Sequence, residues 1–211
     1  MNNPFIVAIS GGSGSGKSRF CDFLQSRLPK GKIDVFALDN YYYPIEEQPK
    51  DIHGHANFDT PESFNLKNLK RDLETIRSGK NITVPKYEYN IDRGGEKPMV
   101  EVKATPIVLF EGIFSGYFKE LHHLIDLKVY VDAPLWLMMK RRIERDETAR
   151  GYGNLQETMD RYQNHVVPAF EKYISALRFE SDIVIPNFSD FELGVEVIRS
   201  YLEKQIDRSA L

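Results

Sequence analysis

Residues Gly11 to Ser18 read Gly-Gly-Ser-Gly-Ser-Gly-Lys-Ser and follow directly on the apolar run Phe5-Ile6-Val7-Ala8-Ile9. The pattern is G-x-x-x-x-G-K-S/T, set at the end of an expected strand and the start of an expected helix. Closely spaced glycines let the backbone wrap tightly, so that its N–H groups converge on phosphate oxygens. Lys17 is then within reach of the β- and γ-phosphates, and the Ser18 hydroxyl can serve a magnesium ion. A flexible Gly/Ser linker would have polar flanks, whereas these are apolar. The loop is therefore read as a nucleotide phosphate site.

Composition narrows the setting. The chain has 211 residues and is 41% hydrophobic, enough to bury the core of one α/β domain. A net charge of -3 leaves no global electrostatic footprint for a nucleic acid or a membrane surface, and no apolar stretch reaches membrane-span length. Phe5 to Ile9 lacks a preceding basic segment and reads as a core strand, not a signal peptide. The lone cysteine, Cys21, excludes an intrachain disulfide and fits a cytoplasmic setting, with a buried thiol on the helix after the loop as its expected role.

Along the chain the hydrophobic period alternates between strand and helix. Lys17 to Leu28 has helical spacing and stops at Pro29. Ile33 to Leu38 is a short strand, Asn40 to Thr60 a long Tyr-, Pro- and His-rich segment, and Asn65 to Ser78 an amphipathic helix ended by Gly79. Period-2 spacing in Ile82 to Tyr89 and Pro98 to Lys103, around an Asp-Arg-Gly-Gly turn, predicts a hairpin inserted over about residues 82–103. Ile107 to Phe110, Leu127 to Val131 and Asp182 to Ile185 read as further strands. Pro134 to Arg145, Leu155 to Leu177 and Asp190 to Ile206 read as helices, with Pro168 expected to kink or divide the second. The expected fold is a single doubly wound, mostly parallel α/β domain with helices on both faces.

Functional groups in such a sheet collect at the carboxyl ends of its strands. Three strands end in an acid: Asp39, Glu111 and Asp132. Glu111 can hold magnesium and Asp39 can take the proton of an attacking hydroxyl; a strand-end turn residue or a helix cap is the alternative for each. Arg141, Arg142, Arg145 and Arg150 crowd one helix and the turn after it. They suit the spread charge of phosphoryl transfer, or they pair on a solvated surface with Glu144, Asp146 and Glu147. His53 and His55 lack the Cys or third His that would make a metal site. Tyr41, Tyr42 and Tyr43 offer aromatic surface beside Asp39, for a ligand or for packing.

Several blocks in order resemble the uridine kinase and phosphoribulokinase family of P-loop kinases, and most of all its uridine/cytidine kinases. They are Gly11 to Ser18, Leu38-Asp39-Asn40-Tyr41-Tyr42, Asn57-Phe58-Asp59-Thr60-Pro61-Glu62-Ser63-Phe64, Val84-Pro85-Lys86-Tyr87, Val108-Leu109-Phe110-Glu111-Gly112-Ile113 and Arg141-Arg142-Ile143-Glu144-Arg145-Asp146, with Arg150-Gly151 beyond. The resemblance implies ATP as donor on Gly11, Gly12, Ser13, Gly14, Ser15, Gly16, Lys17 and Ser18, and Mg2+ on Ser18 and Glu111. It implies Asp39 as catalytic base and Asp59 and Arg142 at the ribose hydroxyls. Tyr87 falls at the nucleobase, with Tyr42 in the same pocket, and Arg145 and Arg150 belong to a lid over about residues 140–153. A homo-oligomer is implied as well, with ATP and a small-molecule acceptor as the ligands.

Two departures fall on acceptor recognition and the lid. Pyrimidine-reading relatives carry a histidine where an ungapped reading puts Asp92, and a carboxylate accepts hydrogen bonds only, so it suits the amino group of cytosine over the O4 of uracil. Tyr152 stands where a further lid arginine is usual, and Arg161 lies near a position that is usually glutamine. The expected activity is transfer of a phosphoryl group to a nucleoside 5′-hydroxyl. Another small alcohol of the same superfamily's repertoire, or a nucleotide-hydrolysing regulator, stands as the alternative.

Overall fold

A computed structural model describes residues 3–88, 97–149 and 155–209. The expectations for Asp92 and its turn, for Arg150 and for Tyr152 lie outside the described residues. Five parallel strands form the central sheet in the order β2-β5-β1-β6-β7: β1 (Phe5–Ser10), β2 (Ile33–Ala37), β5 (Ile107–Glu111), β6 (Leu127–Asp132) and β7 (Ile183–Pro186). The three inner strands are nearly continuous apolar runs because both of their faces are covered, while the edge strands β2 and β7 are only partly buried.

Side chains alternate across the sheet and so feed two cores. Val7 and Ile9 of β1 face α1 (Lys17–Arg27) and the last helix, where they join Phe20, Leu24, Val195, Ile198 and Leu202. Ile6 and Ala8 face the opposite side and join Phe36, Phe110, Phe114 and the apolar stripe of α2 (Leu66–Arg77). The Asn65 side chain caps α2 by accepting from the Asn68 N–H at 3.0 Å. Antiparallel β3 (Ile82–Pro85) and β4 (Met99–Val102) form the expected hairpin apart from the main sheet.

Helix α3 (Leu135–Ala149) runs on past Arg145, where the sequence pattern placed its end. After it come α4 (Leu155–Arg161), α5 (Val167–Ala169), α6 (Leu177–Glu180) and, beyond β7, α7 (Glu192–Ser209). The run expected as one helix over Leu155 to Leu177 is divided around Pro168 into α4, α5 and α6. The chain stays in the right-handed helical region on both sides of Pro168, and widens into π turns at Tyr162–Val166 and Phe170–Ile174. A π turn shifts the hydrogen-bond ladder by one residue and so accommodates a position that has no N–H to donate.

Register decides where the chemistry collects. Glu111 is the register partner of Ile9 in β1 and of Ala37 in β2. The two residues after Ile9 enter the glycine loop, and the two after Ala37 end at Asp39, in a short 3-10 turn (Leu38–Tyr41). The loop, Asp39 and Glu111 therefore stand side by side at the carboxyl edge, where α/β sheets bind ligands.

Candidate active site

A cleft of about 240 Å³ opens at that edge. One wall is Ser13, Gly14, Gly16, Lys17 and Ser18, the floor holds Asp39, Glu111, Gly112 and Ile113, and α3 contributes Arg141, Arg142 and Arg145. Arg19 lies at the loop end, with Tyr42 and Asp59 from the long segment on the far side. Gly11, Gly12 and Ser15 stand behind this lining. Their part is to shape the loop: Gly11 (φ +145°), Gly14 (φ +84°) and Gly16 (φ +100°) all take positive φ, and the Ser15 N–H closes a turn onto the Gly12 carbonyl at 3.0 Å.

Lys17 is buried, with its Nζ donating to the Gly12 carbonyl at 3.1 Å. Burial lowers its pKa, against the pull of the Glu111 and Asp39 carboxylates. Burial pushes the Glu111 carboxyl up to about 7, with Lys17 opposing that rise and Asp39 adding to it. A carboxylate held in this way favours any added positive charge. Glu111 and the Ser18 hydroxyl supply hard oxygen donors, and no cluster of three or more His, Cys, Asp or Glu among the described residues could cage a metal by itself. One carboxylate and one hydroxyl, completed by phosphate oxygens, is a donor set that fits Mg2+.

The arginines are organised from within their own helix. Arg142 is 9% exposed, donates to Ser13 Oγ at 3.1 Å and pairs with Asp146 at 3.4 Å. Arg145 reaches the other oxygen of the same buried carboxylate at 3.3 Å. Asp146 thus pairs with two cations, of which Arg142 reaches the glycine loop. The sequence offers Asp146 a surface pairing as one alternative, and the i, i+4 spacing from Arg142 carries the pairing itself.

Tyr41 and Tyr42 point in different directions. Tyr41 turns into the core and its hydroxyl donates to Asp72 at 3.0 Å. Tyr42 lines the cleft, stacked on Phe64 at 4.2 Å, with Phe58 at 5.3 Å and Tyr87 at 5.0 Å between ring centroids. Tyr87 lies outside the cleft lining but joins this aromatic group, and its backbone N–H donates to Asn40 Oδ1 at 2.9 Å. Asp132 is directed elsewhere, to Arg178 at 3.4 Å.

Three further residues matter that sequence reasoning did not single out. Asp51 accepts from the His53 and His55 backbone N–H groups at 2.8 Å each and meets the buried His165 ring at 2.9 Å. The long segment is thereby fastened to the π turn at Tyr162–Val166, and the backbone of the two exposed histidines is held by the same carboxylate. Asn187, after β7, donates to the Ser15 carbonyl at 2.7 Å.

Comparison with known proteins gives a consistent picture. The model of the phosphoribulokinase / uridine kinase family matches residues 6–193. Uridine-cytidine kinase B of Dictyostelium discoideum is 30% identical over 97% of this chain and 83% of its own length. Uridine kinase-like protein 5 of Arabidopsis thaliana is 28% identical over 98% of this chain, which spans only 44% of that protein. Among solved structures, phosphoribulokinase from Rhodobacter spheroides superposes with a TM-score of 0.64 at 19% identity, over 87% of this chain and 70% of that one.

Proposed function

The chain belongs to the phosphoribulokinase / uridine kinase family, a family of kinases, and from that premise we propose that it is an ATP-dependent nucleoside kinase that forms the 5′-monophosphate. The observation that carries this reading is that the phosphate loop and the Asp39 carboxylate line one cleft, with Asp59 and Arg142 beside them. The loop amides and Lys17 hold the donor phosphates, and Ser18 and Glu111 would hold Mg2+. The ion would there offset negative charge on the donor phosphates. Asp39 accepts the proton of the acceptor hydroxyl, whose oxygen attacks the γ-phosphorus. The bond to the bridging oxygen breaks and ADP leaves with its electron pair. Arg142 and Arg145, and Arg150 from the expected lid, face the charge that spreads over the transferred group.

A neutral acceptor is favoured over an anionic one. The described residues that the long segment adds to the cleft are Tyr42 and Asp59, neither of them cationic. His53 and His55 are exposed, and Arg71 is paired to Asp72 at 2.8 Å. Aromatic stacking at Tyr42 and Tyr87 suits a nucleobase, and Asp92 favours cytidine over uridine on hydrogen-bond grounds. The setting proposed is cytoplasmic, in a single kinase domain. No helix among the described residues is long and apolar enough to cross a membrane.

The test is ADP release from Mg-ATP across nucleosides, sugar phosphates and vitamin alcohols. Cytidine is expected to stimulate most, with uridine behind it. Release that is fast without any acceptor, or that responds only to anionic alcohols, would overturn the reading.

A further inference from the structure

Asn187 is almost fully buried, at 2% exposure. Its backbone N–H donates to the Asp132 carbonyl at 2.7 Å, which seats it beside the end of β6. Its side chain crosses to the glycine loop, where Nδ2 donates to the Ser15 carbonyl at 2.7 Å. Oδ1 accepts from the Arg141 guanidinium at 3.4 Å. Arg141 also comes within 3.4 Å of the Ser15 carbonyl and 3.3 Å of the Asn187 carbonyl. The amide serves both neighbours: a carbonyl requires a donor, a guanidinium requires an acceptor, and Asn carries one of each.

A trans peptide holds its carbonyl and its N–H on opposite sides, and no cis bond occurs among the described residues. Drawing the Ser15 carbonyl toward Asn187 therefore turns the Gly16 N–H the other way. Consistent with this, Gly16 lines the cleft and Ser15 does not. The fit is close on the other side too. A Cβ on Gly16, besides being strained at φ +100°, would collide with Asn187 Nδ2.

We propose that Asn187 is a positioning residue for the donor nucleotide: braced by Arg141, its amide fixes the Ser15–Gly16 peptide so that the N–H face of the loop is preset for a di- or triphosphate. The inference rests on the reading of Gly11 to Ser18 as a nucleotide phosphate loop. It assigns Asn187 no contact with substrate; the residue acts through the peptide it holds.

Equilibrium titration of the full chain with Mg-ADP tests it. N187D keeps the shape of the side chain but sets a carboxylate oxygen against the Ser15 carbonyl. N187A removes the donor and leaves that carbonyl to Arg141. The expected rise in Kd is about 10-fold or more for N187D, with a smaller rise for N187A. In turnover assays KM for ATP rises in the same order, while kcat and the acceptor KM hold within about twofold. A packing role would reverse the order, because the cavity in N187A would be the worse defect, and that reversal overturns the proposal. So does unchanged Mg-ADP affinity in N187D. Thermal melting without nucleotide reads folding, and if N187D fails to fold, parent-like affinity in N187A is the overturning result. If the parent itself does not bind Mg-ADP, the phosphate-loop reading fails and this inference falls with it.

Discussion

Glu111 sits at the end of β5, between the buried Lys17 ammonium and Asp39, and burial pushes its carboxyl from an ordinary 4.5 up to about 7. That shift has a sign. Below about 4.5 the carboxyl is protonated in both folded and unfolded chains. Between 4.5 and about 7 the unfolded chain gives up the proton and the folded chain keeps it, so stability falls as pH rises through that window. The loss is complete above 7 and amounts to about 3 kcal/mol at most. The thermal midpoint of the nucleotide-free protein is therefore expected to fall between pH 5 and about 7.5, with E111Q showing a flatter profile. Equal profiles would mean that Glu111 is not held in this way. Its position was legible in the sequence, as was that of Asp39, because an acid directly after an apolar run is a local pattern. The division among the tyrosines was not: whether Tyr41 or Tyr42 faces the cleft depends on the 3-10 turn that follows β2.

At the scale of elements, the segment between α1 and α2 that carries Tyr42 and Asp59 is fastened at Asp51. Its hydrogen bond with His165 is the main reason the Asp51 carboxyl lies well below its usual range, with the His55 and His53 N–H groups adding to it. A carboxyl depressed in this way contributes stability above its unfolded pKa, near 3.8, and loses it as pH falls through the folded value. Asp51→Ala and His165→Ala are expected to lower the urea midpoint, with the double variant costing less than their sum. His55→Ala, at an exposed ring, should leave the midpoint unchanged. Additive effects would show that the two side chains do not act as a unit. Neither this pair nor Asn187 could be read from the chain alone. The partners lie 114 and 172 residues apart, and only the folded chain brings them together. Helices and strands, by contrast, followed from local period. The division around Pro168 takes the form of π turns on both sides, a detail that hydrophobic period does not encode.

At the scale of the whole molecule, the parallel sheet does two jobs with one register. Its two apolar faces bury the cores under α1 and α7 and under α2, and its carboxyl edge aligns the phosphate loop with Asp39 and Glu111. Arg142, paired with Asp146, and Asn187 then tie α3 and the end of β7 to that edge. One cleft is lined by residues of the glycine loop, the α3 arginines, Asp39, Asp59 and Tyr42, and the proposed reading divides them between donor and acceptor. The central claim is that Asp39 is the base between them. The most direct test is steady-state turnover of Asp39→Asn with Mg-ATP and the best acceptor. The account predicts that kcat falls by roughly 10²-fold or more while KM for ATP stays within about twofold. Near-normal turnover in that variant would contradict it.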